Sequence, residues 1–229
     1  AARAQVTGSF RFAQLTDIHL NPNNPKPTED LKRSVEQINA TPGVDFVLVT
    51  GDLTEEGDRT TMLVVKSILD QLKVKYYVIP GNHETKWSDS GCTAFSEIFG
   101  GERFKFEHKG FLFLGFNSGP LMRMAYGHVV PQDITWMKQE MDKVDYDICL
   151  IGCGAYGFPL AAYAKRKGKK AIHLAGALQL LFGIRGKRWE DPNYNSTYNY
   201  SALMNQYWVK PQITERSQNA ERVEGACYW

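Results

Sequence analysis

Apolar positions in this chain fall into short blocks with two different periods. Phe10–Thr16, Phe46–Thr50 and Tyr76–Pro80 read as buried strands, and each is followed at once by Asp or Gly. Between them, Glu29–Asn39 places Leu31, Val35 and Ile38 at helical spacing, with Thr28 before it and Gly43 after it. Arg59–Leu72 repeats the pattern with Met62, Val65, Ile68, Leu69 and Leu72. Strand, helix, strand, helix, strand predicts a parallel sheet with right-handed crossovers. Open α/β sheets carry their sites beyond the carboxyl ends of the strands. The stretch Pro22 to Pro27 predicts a loop overhanging those ends. Arg103–His108 and Phe111–Phe116 pair across Lys109-Gly110 as a hairpin, and Pro131–Lys143 reads as a helix with Ile134, Met137 and Met141 on one side. A second βαβ pattern then begins: strand Asp147–Ile151, a tight turn, helix Leu160–Arg166 and strand Lys170–Leu174. The last forty or so residues are rich in Asn, Tyr, Gln and Trp with poor periodicity, which predicts irregular structure packed by aromatics or a partly disordered tail.

Three polar segments stand directly behind the first three strands: Asp17-Ile18-His19, Gly51-Asp52 and Gly81-Asn82-His83-Glu84. Asp17 and Asp52 are 35 residues apart and Asp52 and Asn82 are 30 apart, room for one helix between successive strands. Carboxylate, imidazole and amide oxygen on neighbouring strand ends can converge on one point. Those ligand types suit Zn, Fe or Mn. One Asp between two ions can bridge them, and a two-metal centre clamps both the attacking and the leaving oxygen of a phosphoryl ester.

At these residues the chain resembles the calcineurin-like metallophosphoesterase family, whose members read D-x-H, then G-D, then G-N-H-[D/E], each on a loop after a strand. The likeness covers roughly residues 10 to 145. It implies a layered α/β sheet with flanking helices and two divalent metal ions (Mn, Fe or Zn). It further implies Asp17 and His19 as ligands of the first metal, Asp52 as the bridge and Asn82 on the second metal. His83 is implied to touch the phosphate and protonate the leaving group, oriented by the acid of Glu84 or a neighbour. The family's site is completed by three later histidines, the last pair written G-H-x-H. Of the five histidines here, at 19, 83, 108, 128 and 173, none lies in a G-H-x-H. Where the fourth-strand histidine belongs, the chain reads Gly152-Cys153-Gly154-Ala155-Tyr156-Gly157. The C-terminal half is therefore read as incomplete and replaced by a Rossmann-like βαβ unit, vaguely similar to bacterial proteins related to sugar transfer. The metal site is read as impaired, as a relic, or as completed by other groups such as His173 or Cys153.

Composition refines this picture in two places. Residues 1–147 carry a formal charge of −4 and residues 148–229 carry +6, for the total of +2. A shift near 145 marks two regions, 1–145 and 146–229, or a junction of two genes. Gly152, Gly154 and Gly157 can lay a diphosphate on a helix N-terminus. The acidic residue expected at the end of the second strand is absent, so tight strand-to-helix packing is the competing use of the glycines. That leaves three functions to separate. The first is a hydrolase of phosphate mono- or diesters with a small substrate. The second is a non-catalytic nucleotide-binding or glycosyltransferase-like module, and the third is a chimeric chain with a remnant site.

The basic run Lys165 to Lys170 has no interleaved stacking aromatics, which argues against nucleic acid. No segment approaches the roughly 20 apolar residues of a membrane span. Ala1 to Gln5 resembles the small-residue end of a processed signal peptide, which predicts a periplasmic or exported protein. Cys92, Cys149, Cys153 and Cys227 show neither metal spacing nor a disulfide framework. Two glycosylation patterns, at Asn195 and Asn199, read as chance, and His108 and His128 read as surface or loop histidines. Trp87 is a candidate pocket wall, and Asn117 a candidate substrate contact at a strand end.

Overall fold

Three parallel strands, β1 (Phe12–Leu15), β2 (Phe46–Thr50) and β3 (Lys75–Ile79), form a sheet in the order β1-β2-β3. Phe12 pairs with Phe46 and Phe46 with Lys75, so the three carboxyl ends lie side by side. These features come from a computed structural model that describes residues 8–124, 126–174, 183, 185–191, 199–206 and 208–210. The crossovers are α1 (Lys26–Ala40) and α2 (Arg59–Leu69). α1 starts three residues before the expected Glu29, because Pro27 falls in the first turn, where a missing N–H costs nothing. The helix thus takes the last two residues of the predicted Pro22–Pro27 loop. α2 is capped by Asp58, whose carboxylate accepts from Thr61 N at 2.8 Å. Asp58→Ala is expected to lower stability by about 1 kcal/mol and Tm by roughly 2–4 °C, read by thermal melting.

Alternation along β2 sorts its side chains onto two faces. Val47 and Val49 are fully buried and pack with Leu31, Val35, Met62, Val65, Ile68 and Phe95 beneath the helices. Phe46 points the other way, into a layer of aromatic rings. That layer comes from the hairpin of β4 (Arg103–His108) and β5 (Phe111–Phe116), in which Phe106 pairs with Phe113. Lys109 and Gly110 both have positive φ, +47° and +85°, as a two-residue hairpin turn requires. Phe106 stacks on Tyr77 at 3.6 Å between centroids and lies 5.0 Å from Phe46. Helices, sheet and hairpin make three layers, the α/β arrangement expected from the pattern. His108 ends β4, as the hairpin reading has it, half-buried and 3.3 Å from Asp45. α3 (Thr93–Phe99) was not expected. α4 (Pro131–Lys143) has the predicted bounds and is tied to the hairpin by Lys105–Glu140 at 2.5 Å and Arg103–Asp133 at 3.0 Å.

The chain divides into two compact units, Ala1–Asp145 and Tyr146–Trp229. In the second, β6 (Ile148–Ile151) and β7 (Lys170–His173) pair in parallel across α5 (Gly157–Arg166), which begins three residues before the expected Leu160. A short α6 (Lys187–Glu190) follows. Asn199 stands just before a 3-10 turn over Tyr200–Leu203, whereas Asn195, Cys227 and Ala1 to Gln5 lie outside the described residues. Among the described residues no helix is long and apolar enough to cross a membrane.

Candidate metal centre

The strand-end loops continue the sheet's pairing past the last strand residues. Asp17 N donates to the Gly51 carbonyl at 3.2 Å, His19 N to Asp52 O at 3.0 Å, and Leu20 N to Leu53 O at 3.0 Å. Glu55 N returns to Leu20 O at 2.9 Å. These bonds hold three non-glycine residues in the left-handed region: Asp17 at φ +53°, His19 at +49° and Asp52 at +51°. Such conformations cost of order 1–3 kcal/mol each and persist only where the surroundings over-determine them. Here the strain falls on the first two predicted motifs and turns their side chains out of the strand alternation.

The third loop meets the second through two glycines. A Cβ on Gly51 would stand 2.7 Å from Gly81 Cα, and one on Gly81 would stand 2.1 Å from Asp52 Oδ1. Without side chains the two loops touch, and His83 N donates to Asp52 Oδ1 at 3.1 Å. Beneath them Glu84, fully buried, joins the loops. Its Oε1 accepts from Thr54 N at 3.0 Å and Thr54 Oγ1 at 3.2 Å, and its Oε2 accepts from Gly81 N at 2.9 Å. Burial, and next to it the Asp52 charge, pushes the Glu84 carboxyl up against the pull of those donors. Glu84 therefore braces backbone and does not orient His83, as the resemblance had allowed. The carbonyl of Glu55 takes that part, in contact with His83 Nδ1. A carbonyl only accepts, so Nδ1 carries the proton and Nε2 is left to face the site.

The result is a convergence of His19, Asp52 and His83, each offering one ligand atom within 4.8 Å of the others. The two imidazoles meet edge to face at 4.5 Å. Asp17 lies at the side, its Oδ1 3.9 Å from His19 Nε2, with a side chain 63% exposed. Burial pulls the Asp17 carboxyl up, but His19, the Thr16 hydroxyl at 2.6 Å and the His83 ring together hold it below the usual range. The Asp17 carboxylate, against the cost of burial, holds the His19 pKa up, with help from the charges of Asp52 and Glu55. Asn82 is exposed, one step before the π-helical turn His83–Trp87. Glu55, which the sequence reading missed, brings Oε2 to 3.3 Å from His19 Nδ1.

The donor set fits a divalent metal. The carboxylates of Asp17 and Asp52 and the imidazole of His19 are ligands that Zn, Fe and Mn accept. His19 Nδ1 is buried and makes no hydrogen bond, with the Glu55 carboxylate facing it at 3.3 Å. The remaining sequence candidates lie elsewhere. Asn117 bonds Glu102 at 2.6 Å and Gly119 N at 2.8 Å, so its amide is engaged in structure. His128 is exposed, its N–H on Gly119 O at 3.1 Å. In the second unit a Cβ on Gly157 would stand 2.1 Å from the His173 ring, so this glycine seats an imidazole over the start of α5. Gly154 has φ +48° and Gly152 is exposed.

A family model described as calcineurin-like phosphoesterase matches residues 10–175, a span that takes in all three strand-end motifs and continues through β6, α5 and β7. Over 82 residues the chain is 29% identical to a probable cyclic nucleotide phosphodiesterase of Vesicomyosocius okutanii, covering 34% of this chain and 35% of that protein. It is 28% identical over 139 residues to the uncharacterized protein YvnB of Bacillus subtilis, covering 52% of this chain and 10% of that one. It is 23% identical over 149 residues to the 3',5'-cyclic-nucleotide phosphodiesterase alr5338 of Nostoc sp., covering 61% and 54%. The chain thus spans about a third, a tenth and a half of the lengths of these relatives. The likeness of residues 146–229 to sugar-transfer proteins is not shown by these matches.

Proposed function

We propose that this chain, which belongs to the calcineurin-like phosphoesterase family, hydrolyses small phosphate mono- or diesters at the ends of β1, β2 and β3. The convergence of His19, Asp52 and His83 within 4.8 Å carries the reading. We assign Asp17, His19 and Asp52 to a first divalent ion, and Asp52 with Asn82 to a second. Bound there, the metal would supply Lewis-acid activation of the phosphoryl group and of the attacking water. The chain's own residues do the rest. Paired loops hold Asp52 between His19 and His83. The Glu55 carbonyl fixes the His83 tautomer, and the protonated ring donates from Nε2 to the departing oxygen. Of the named relatives one is named a 3',5'-cyclic-nucleotide phosphodiesterase and another a probable cyclic nucleotide phosphodiesterase, which favours a diester as substrate.

With two or three protein ligands per ion the site holds metal loosely. Purified protein is therefore expected to need added Mn(II) to hydrolyse p-nitrophenyl phosphate or bis(p-nitrophenyl) phosphate, and to lose turnover on chelation. Metal content by mass spectrometry accompanies the assay. Protein that takes up no Mn(II) and turns over neither ester would overturn the reading and leave the motifs a remnant.

A further inference from the structure

Residues 119–124 and 126–128 belong to one connection that packs on the loop of the third motif. Its base is pinned by His128 N on Gly119 O at 3.1 Å and by an antiparallel bridge between Pro120 and Gly127. Its tip turns back on itself, Met124 N on Leu121 O at 2.9 Å, with Arg123 at φ +61°. The stalk rests on the third motif: a Cβ on Gly119 would stand 2.7 Å from Thr85 Oγ1 and 3.3 Å from the Gly81 carbonyl. The tip is tied to the turn that follows His83, Arg123 N to Lys86 O at 3.0 Å and Arg123 Nη2 to Asp89 Oδ1 at 2.6 Å.

This connection and that turn each carry large apolar side chains exposed to solvent. Trp87, Leu121, Met122 and Met124 are each 46–49% exposed and Tyr126 is 81% exposed. Single exposed apolar residues need no explanation, but five on two segments tied backbone to backbone do. Two are flat rings, and two are flexible thioethers, which adapt to a ring edge and contact it favourably. Ligand sites combine a few fixed polar groups with such a wall. Here the polar groups are those of the metal centre, and the wall is built on the residues that follow His83.

Resting on the hydrolase reading above, we infer that Gly119–Met124, Tyr126 and Trp87 bind the organic group of the substrate, and that this group is aromatic. The phosphoryl group sits at the strand ends while a flat ring lies among Trp87, Met124 and Tyr126. The loop selects the ester and takes no part in bond breaking.

The test holds the leaving group constant. Methyl, phenyl and octyl diesters of p-nitrophenyl phosphate are compared, all releasing p-nitrophenolate, in the full chain with Mn(II). The phenyl ester is expected to exceed the methyl ester in kcat/KM by about tenfold, the size of one good aromatic contact. Tyr126→Ser and Met124→Ser, at exposed positions that the fold tolerates, are expected to bring the ratio towards one. A wild-type ratio near one, a ratio unmoved in both variants, or an octyl ester preferred over phenyl would overturn the inference. If no ester is turned over, the hydrolase reading fails by itself and calorimetry decides the loop's role. Phenylphosphonate held about tenfold more tightly than methylphosphonate, and not by Tyr126→Ser, would sustain it. Equal or absent binding of the two would sink it.

Discussion

Asp52→Asn is expected to abolish uptake of added Mn(II) and to lower phosphoester hydrolysis by more than about 100-fold, with the fold intact. Loss of an outer-shell partner of a metal ligand costs roughly 10–100-fold, and here a ligand itself changes from an anion to a neutral amide. The position is central: the Asp52 carboxylate faces both His19 and His83, within 4.8 Å, and accepts the His83 N–H. The asparagine Oδ1 can still accept that N–H, and the side chain keeps its shape against Gly81. Loop geometry therefore survives, and what is removed is the charge that holds a cation. Two measurements separate the cases. Metal per chain and kcat/KM should fall together while Tm changes little. A variant that kept both metal and rate would mean that Asp52 is not a ligand, and the site would have to be sought elsewhere. A variant that lost rate but kept metal would move Asp52 to a different role.

The strands and their chemistry were legible because they are coded locally. β2, β4 and β5 have the bounds that alternation and the Lys109-Gly110 turn predict. The three motifs announce themselves as polar steps directly behind apolar blocks. What escaped is of two kinds. α3 is only seven residues long, starts behind Cys92 at φ +83°, and has no capping side-chain bond, so none of the usual start signals marks it. Glu55 and Glu84 carry no local mark either. A glutamate three residues after Asp52 reads as a solvated charge until the loop folds and brings it 3.3 Å from His19. The resemblance implies that the acid of Glu84 or a neighbour orients His83. The Glu84 carboxylate instead turns inward, to Gly81 N on its own loop and to Thr54 on the neighbouring one, the latter a pairing between residues 30 apart that only the assembled sheet defines. The glycines of 152–157 show the converse. Their spacing is that of a diphosphate turn, yet Gly157 is accounted for by the His173 ring against it.

Glu84 carries the largest expected effect on stability. Its carboxylate receives three donors from two loops and is 0% exposed, so no water can replace it. Thr54 Oγ1 already accepts from Gly57 N at 2.9 Å, which commits its own proton to Glu84. Glu84→Ala leaves two backbone N–H groups and a hydroxyl facing a cavity. At about 1–3 kcal/mol for each stranded group, the loss is expected near 4 kcal/mol, or about 8–16 °C in Tm. Glu84→Gln is the sharper variant. An amide has one acceptor oxygen where the carboxylate has two. Whichever way it is turned, its NH2 meets either Gly81 N–H or Thr54 N–H, donor against donor. Burial opposes ionisation of Glu84, and glutamine removes that opposition, so the expected loss is smaller, about 1–2 kcal/mol. Denaturant unfolding orders the three proteins: wild type, then Gln, then Ala. The Gln variant should also bind Mn(II) more weakly than wild type, because the brace it loosens is what seats Gly81, and through it Asp52 and His83, in one place. A Gln variant equal to wild type in both stability and metal binding would show that the two loops hold their register without this brace. The strained backbone of Asp17, His19 and Asp52 would then have to be held by the loop-to-loop ladder alone.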